Sequence, residues 1–229
     1  MYRSEHMFAS REMTDALPPA RTDALAVRVR PTSTSRTRVL AVPGPLVPCL
    51  PDGGLRRGTI VHCSGPGSLS LALALIGPAS ATGSWCALVG VEDLGVLAAT
   101  GYGVDLERLA VLHVAPPQWA VVAGMLLDGM DVVVAQSSSR FRPATARQLA
   151  ARARCRRAVL LVVGSLTAWP ALADVRLGVA GEQWQGLGRG SGHLSARRVS
   201  VVVQGHGSGA RPVRRDLWLP DPTGQVAAV

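Results

Sequence analysis

Residues 53–92 read GGLRRGTIVHCSGPGSLSLALALIGPASATGSWCALVGVE. A short apolar run, Thr59–Cys63, ends in the glycine-bearing turn Ser64-Gly65-Pro66-Gly67-Ser68, which opens at once into a stretch with helical spacing, Leu69–Ile76. A second apolar run, Trp85–Val91, follows. Runs that are apolar on both sides read as strands buried on both faces, and strand, turn, helix, strand in that order is the unit of a parallel sheet. In such a unit the turn is the natural ligand position, because the helix that follows offers unpaired N–H groups and a positive dipole end.

The alternation continues outward. Leu109–Val114, Asp131–Ala135 and Ala158–Val163 read as further buried strands, with helices over Leu94–Thr100, Gln118–Leu127 and Ala144–Arg154. Pro143 suits the first turn of the last helix. After Gly164 the character changes: Asp174–Val179, Val199–Gln204 and Asp216–Leu219 read as strands separated by glycine-rich loops, Gly186 to Gly192 and Gly205 to Gly209, and these extend the sheet in antiparallel fashion. The GLGRGSG run at Gly186 follows no convincing strand and opens no helix, so it reads as a flexible loop and not a dinucleotide fingerprint. Residues 1–37 form an arm with a short helix near Asp23 to Val29 and a Ser/Thr-rich linker, residues 38–220 the core domain, and residues 221–229 a tail.

The chain has 229 residues, 48% of them apolar, and a net charge of +9, enough to bury a sizeable core in one domain. All 24 basic residues are arginine, so every mechanism that needs a lysine is excluded. Cys49, Cys63, Cys86 and Cys155 lie far apart with no metal-ligand spacing, which predicts reduced, buried thiols and no metal site. No apolar run approaches membrane-spanning length, and the N-terminus lacks a signal peptide, so a cytoplasmic protein is expected.

Charge is unevenly spread. Ten arginines and eleven acids precede residue 132, whereas fourteen arginines and four acids follow. Val132 to Ala173 carries no acid but holds Arg140, Arg142, Arg147, Arg152, Arg154, Arg156 and Arg157; Gln183 to Arg215 is also acid-free and holds Arg189, Arg197, Arg198, Arg211, Arg214 and Arg215. Such asymmetry is the footprint of a polyanion partner, most often nucleic acid.

In order and spacing, GGLRRG at 53–58, TIVHCSGP at 59–66, LALALIGPASATGSWCALVGVE at 71–92 and GVDLERLAVLHV at 103–114 resemble the ATPase core of the RecA family. The segment between Gly65 and Leu71 is about three residues too short for that family's phosphate loop, and the missing piece is its Gly-Lys-Thr end. Gln136 stands where the family's magnesium-holding Asp would fall, and Glu92 matches the catalytic Glu. The degenerate loop of Gly65, Pro66, Gly67, Ser68 and Ser70, with Glu92, is therefore expected to hold no nucleotide and no metal.

A short chain with a decayed loop resembles the ImuA group of that superfamily, in particular its actinobacterial ImuA-prime type. The resemblance implies an α/β fold with a RecA-like core: a mostly parallel central sheet flanked by helices, with antiparallel C-terminal strands. It implies a nucleoid-associated accessory protein of damage-induced, error-prone translesion DNA synthesis, without cofactor or catalysis. Its implied partners are an ImuB-like inactive relative of Y-family polymerases, a DnaE-type error-prone polymerase reached through it, and single-stranded DNA. In recombinases an N-terminal segment packs on the neighbouring subunit, so the arm also offers self-association.

On this reading DNA falls to Arg140, Phe141, Arg142, Arg147, Arg154, Arg189, Arg197 and Arg198. Two cations flanking an aromatic can hold phosphate and stack a base, a contact worth ~1–3 kcal/mol. A partner protein falls to Arg214, Arg215, Leu217, Trp218 and Leu219, since Trp and Arg anchor interfaces. Two other functions remain open from sequence: a residual ATP-dependent recombination enzyme built on Gly65–Ser70 and Glu92, and a damage-induced inhibitor of cell division.

Overall fold

The computed structural model describes residues 38–115, 118–136, 142–165, 169, 173–188, 190–205 and 212–229. Two short strands, β1 (Val39–Leu40) and β2 (Leu55–Arg56), pair antiparallel ahead of the main sheet. Then come β3 (Ile60–Ser64), α1 (Ser68–Ala81), β4 (Cys86–Val89), α2 (Val96–Gly101), β5 (Leu109–Leu112), α3 (Trp119–Gly129), β6 (Val132–Gln136), α4 (Pro143–Arg156) and β7 (Val159–Val163). The chain closes with β8 (Val175–Leu187), β9 (Gly192–Gly205), β10 (Val213–Trp218) and β11 (Ala227–Ala228).

Among the described residues the main sheet has nine strands in the order β5-β4-β6-β7-β3-β8-β9-β10-β11. Pairing is parallel from β5 through β8 and antiparallel from β8 to β11. The protein is thus α/β, with a large, mostly parallel central sheet and antiparallel C-terminal strands, an architecture compatible with a RecA-like core.

The apolar runs of β3, β4, β6 and β7 form strands because both faces are covered, whereas β5, expected to be buried, is a half-exposed edge strand. Val61 and Cys63 point into a core shared with α1, whereas Ile60, Leu160 and Val162 face a second core with α3 and α4. Full burial of one Leu or Val is worth roughly 1.5–3 kcal/mol. Two acids fix where the strands begin: Asp131 accepts the Trp85 N–H at 2.9 Å and the Arg57 guanidinium at 2.6 Å, and Asp174 accepts the Ile60 N–H at 2.8 Å. They satisfy strand ends that would otherwise leave backbone donors unpaired in the interior.

Several expectations change. Helix α1 runs on through Pro78 to Ala81, where it needs few further backbone bonds. The first C-terminal hairpin is far longer than the apolar runs indicate: β8 and β9 stay paired out to Leu187 and Gly192, with bulges after Ala180 and Gln185. The outer half of β8 is exposed, so no hydrophobic alternation marks it. The segment 221–229 does not leave the domain as a tail, since Ala227 and Ala228 pair with Trp218 and Leu217. Cys49, Cys63 and Cys86 are buried, but Cys155 is exposed on α4, where the sequence predicts a buried thiol. Among the described residues no helix is long and apolar enough to cross a membrane.

Candidate functional site

The turn from β3 to α1 sits at the carboxyl end of the central strand, where an open parallel sheet binds its ligands. Gly65 (φ +90°) and Gly67 (φ +75°) both adopt left-handed backbone. Each also meets a neighbour at contact distance. A Cβ on Gly65 would collide with the Val179 carbonyl oxygen of β8, whose carbon would lie only 3.1 Å away. On Gly67 a Cβ would lie 2.6 Å from both Cζ and Nη2 of Arg197 and closer still to Nη1. The turn is closed on itself by Ser68 N–H donating to the Gly65 carbonyl at 3.2 Å. Its glycines thus serve the packing of β8 and β9.

Arg197 is the residue that sequence reasoning misplaced. It is 5% exposed, so it is not the DNA contact expected of it. On β9 its position alternates with Val199, Val201 and Val203, and all four side chains face the α1 side of the sheet. That period of two is the signal that separates it from its neighbour. Arg198 points to the other face, exposed and 3.0 Å from Asp216.

Four groups hold the buried cation. Arg197 Nε donates to the Leu219 carbonyl at 2.7 Å. Nη1 lies 3.6 Å from Glu182, which the bulge after Ala180 brings round. The guanidinium lies over the Trp184 ring at 5.0 Å from its centroid, a cross-strand cation–π contact. Tyr102 is also close: burial pushes its phenol above the ordinary value, while Ser70 and Arg197 pull it back by hydrogen bonding and charge. Nη2 is buried without a hydrogen-bond acceptor.

These residues do not fit a magnesium-bound triphosphate. No lysine exists to reach the terminal phosphates, and a guanidinium already covers the start of α1. Gln136 ends β6 with its side-chain oxygen buried and unpaired, and Glu92 is exposed ahead of α2. A cleft of about 220 Å³ opens beside Gly65, lined by Ser64, Arg176, Gly178, Ala180 and Gln204. By strand alternation it lies on the sheet face turned away from α1, and it is smaller than a typical cofactor site. Among the described residues no cluster of His, Cys, Asp and Glu could hold a metal ion.

The basic surface is partly neutralised. Arg152 and Arg156 of α4 both bind Asp128 of α3, and Arg154 lies 3.6 Å from Asp174. Hydrogen bonding from Arg152 holds the Asp128 carboxyl below its ordinary range. Arg142 and Arg147 are exposed, and neither pairs with an acid among the described residues. Arg140, Phe141 and Arg189 lie outside the described residues, as do the N-terminal arm and most of 165–173.

The expected partner patch divides. Leu217 and Leu219 are 2% and 0% exposed and belong to the core, because Leu217 pairs with inward-facing Val199. They are unavailable to a partner. Trp218 is half-buried on the opposite face, while Arg214 and Arg215 are exposed.

A family model described as the MT3502 N-terminal domain matches residues 48–171. The chain belongs to the MT3502 family. The uncharacterized protein Rv3395c of Mycobacterium tuberculosis (strain ATCC 25618 / H37Rv) is 37% identical over 173 residues, 72% of this chain and 80% of that protein. The MT3502 match takes in the β3–α1 turn, Gln136 and α4. It stops before β8, so Arg197 and the strands that carry it lie beyond the matched domain.

Proposed function

We propose that this MT3502-family chain is a non-catalytic adaptor of the ImuA-prime type, joining DNA to a polymerase-like partner during damage-induced, error-prone translesion synthesis. The observation that carries this reading is the β3–α1 turn. It keeps the position of a phosphate loop while Gly65 and Gly67 are committed to Val179 and Arg197. A scaffold that has lost its triphosphate place is suited to docking.

Charge supports the DNA side. Arg142 and Arg147 at the start of α4 are exposed without acid partners among the described residues, next to a segment that also holds Arg140 and Phe141. The rest of α4 is tied to Asp128 and Asp174, so a strand held here engages the amino-terminal end of α4. The ImuB-like and DnaE-type polymerases follow from the sequence resemblance, as does a place at the nucleoid.

Binding of a fluorescent single strand over a salt series tests the DNA side. Six phosphate contacts give a log–log slope of about −4, and Arg142→Ala with Arg147→Ala makes it shallower. No binding at low salt contradicts the reading. Co-purification from DNA-damaged cells tests the protein side: the expected companion is a polymerase relative, and a cell-division protein in its place would favour the inhibitor.

A further inference from the structure

We propose that Arg197 is the resident occupant of the β3–α1 turn: the chain's own guanidinium fills the place of an anionic ligand and locks the C-terminal strands onto α1. The inference stands on the geometry of the turn and is independent of any DNA or polymerase partner.

Electrostatics alone would not put a cation here, since the amino end of a helix favours anions. The arrangement therefore depends on what surrounds the guanidinium. Trp184 covers one side, Gly67 the other, the Leu219 carbonyl takes Nε, and Glu182 supplies the negative charge. The backbone reinforces the lock: Arg197 N–H donates to the Pro220 carbonyl at 2.8 Å, and Leu219 N–H donates to the Arg197 carbonyl at 2.7 Å. One residue thus ties together the turn, β8, β9 and the segment after β10.

The same contacts account for the sequence. Only glycine at 67 leaves room for the guanidinium, Gly181 in left-handed backbone (φ +72°) makes the bulge that turns Glu182 toward it, and Trp184 is the cross-strand partner of Arg197. The buried Nη2 without an acceptor is a donor that an oxyanion entering the turn would meet.

The test is made on the whole chain, with magnesium pyrophosphate as the probe. In nitrogen-15-labelled protein the Arg197 Nε–H signal, assigned by its loss in Arg197→Lys, is expected to be protected from solvent exchange and unchanged by millimolar probe. A saturable shift of that signal overturns the proposal. In Arg197→Ala the Tm is expected to fall by at least about 2–4 °C and then to climb again as the probe enters the emptied place. A folded Arg197→Ala with the Tm of the parent, or one that ignores the probe, overturns it equally. Where that variant fails to fold, the signal in the parent protein decides.

Discussion

The guanidinium of Arg197 lies flat on Gly67: Cζ and Nη2 are both 2.6 Å from where a Cβ on that glycine would sit. Gly67→Ala therefore meets two penalties, a left-handed backbone at φ +75° and eviction of a buried cation. Chemical denaturation should show a loss of about 2–4 kcal/mol. Gly44→Ala, at a glycine with open space around it, is the control and should change stability by less than about 0.5 kcal/mol.

The two leucines flanking Trp218 separate core from surface. Leu219→Ala empties a fully buried position and should cost about 2–5 kcal/mol. Arg215→Ala, on an exposed side chain, should stay within about 0.5 kcal/mol. Urea titrations of the two variants check the division. Equal losses would mean that β10 packs differently from the arrangement described.

Much of the fold is legible because the parallel strands are apolar on both faces. Ile60–Ser64 and Val159–Val163 can hardly be anything else in a chain with this rhythm of turns and helices. The outer half of the β8–β9 hairpin is not legible. On β8 its residues are exposed and carry no apolar alternation; backbone pairing and the contacts of Glu182 and Trp184 with Arg197 hold them. The site fails to read for a different reason. Arg197 and Arg198 are neighbours in one basic stretch, and only the register of β9 sends one into the core and the other to solvent. Counting back in twos from Val203, Val201 and Val199 reaches Arg197, a clue that net charge conceals. Leu217 is likewise legible only through its partner Val199, since the sequence does not say which strand β10 pairs with.

Thiol chemistry should follow burial. Desolvation pushes the thiols of Cys63 and Cys86 up to about 12 and raises that of Cys49 as well, so none of the three forms thiolate readily. Cys155 is exposed among the arginines of α4. A colorimetric thiol assay should find one reactive cysteine in the native protein and four in denaturant. Two or more fast thiols in the native state would contradict the core assignment.

Acid should weaken the protein through His62. Burial, then the nearby Arg176 charge, holds its imidazole below the ordinary value near 6.5, with a backbone hydrogen bond to Ser165 opposing. The unfolded chain thus takes up the proton first, so this contribution is fully present above about pH 6.5 and is lost as pH falls through the lower folded value. The carboxylates with resolved shifts, Asp128, Asp216 and Asp221, are all lowered from 3.8 and act at more acid pH. Tm measured from pH 7.5 to 5 should fall in the parent and be flatter in His62→Gln. Identical slopes would exclude His62 as the cause.

Equilibrium dialysis of the whole chain against labelled ATP with magnesium asks whether the β3–α1 turn has room for a nucleotide. A turn already filled by Arg197 predicts no saturable binding at millimolar nucleotide. Saturable, magnesium-dependent binding that is lost in Gly67→Ala would contradict it and return the chain to the nucleotide-using enzymes.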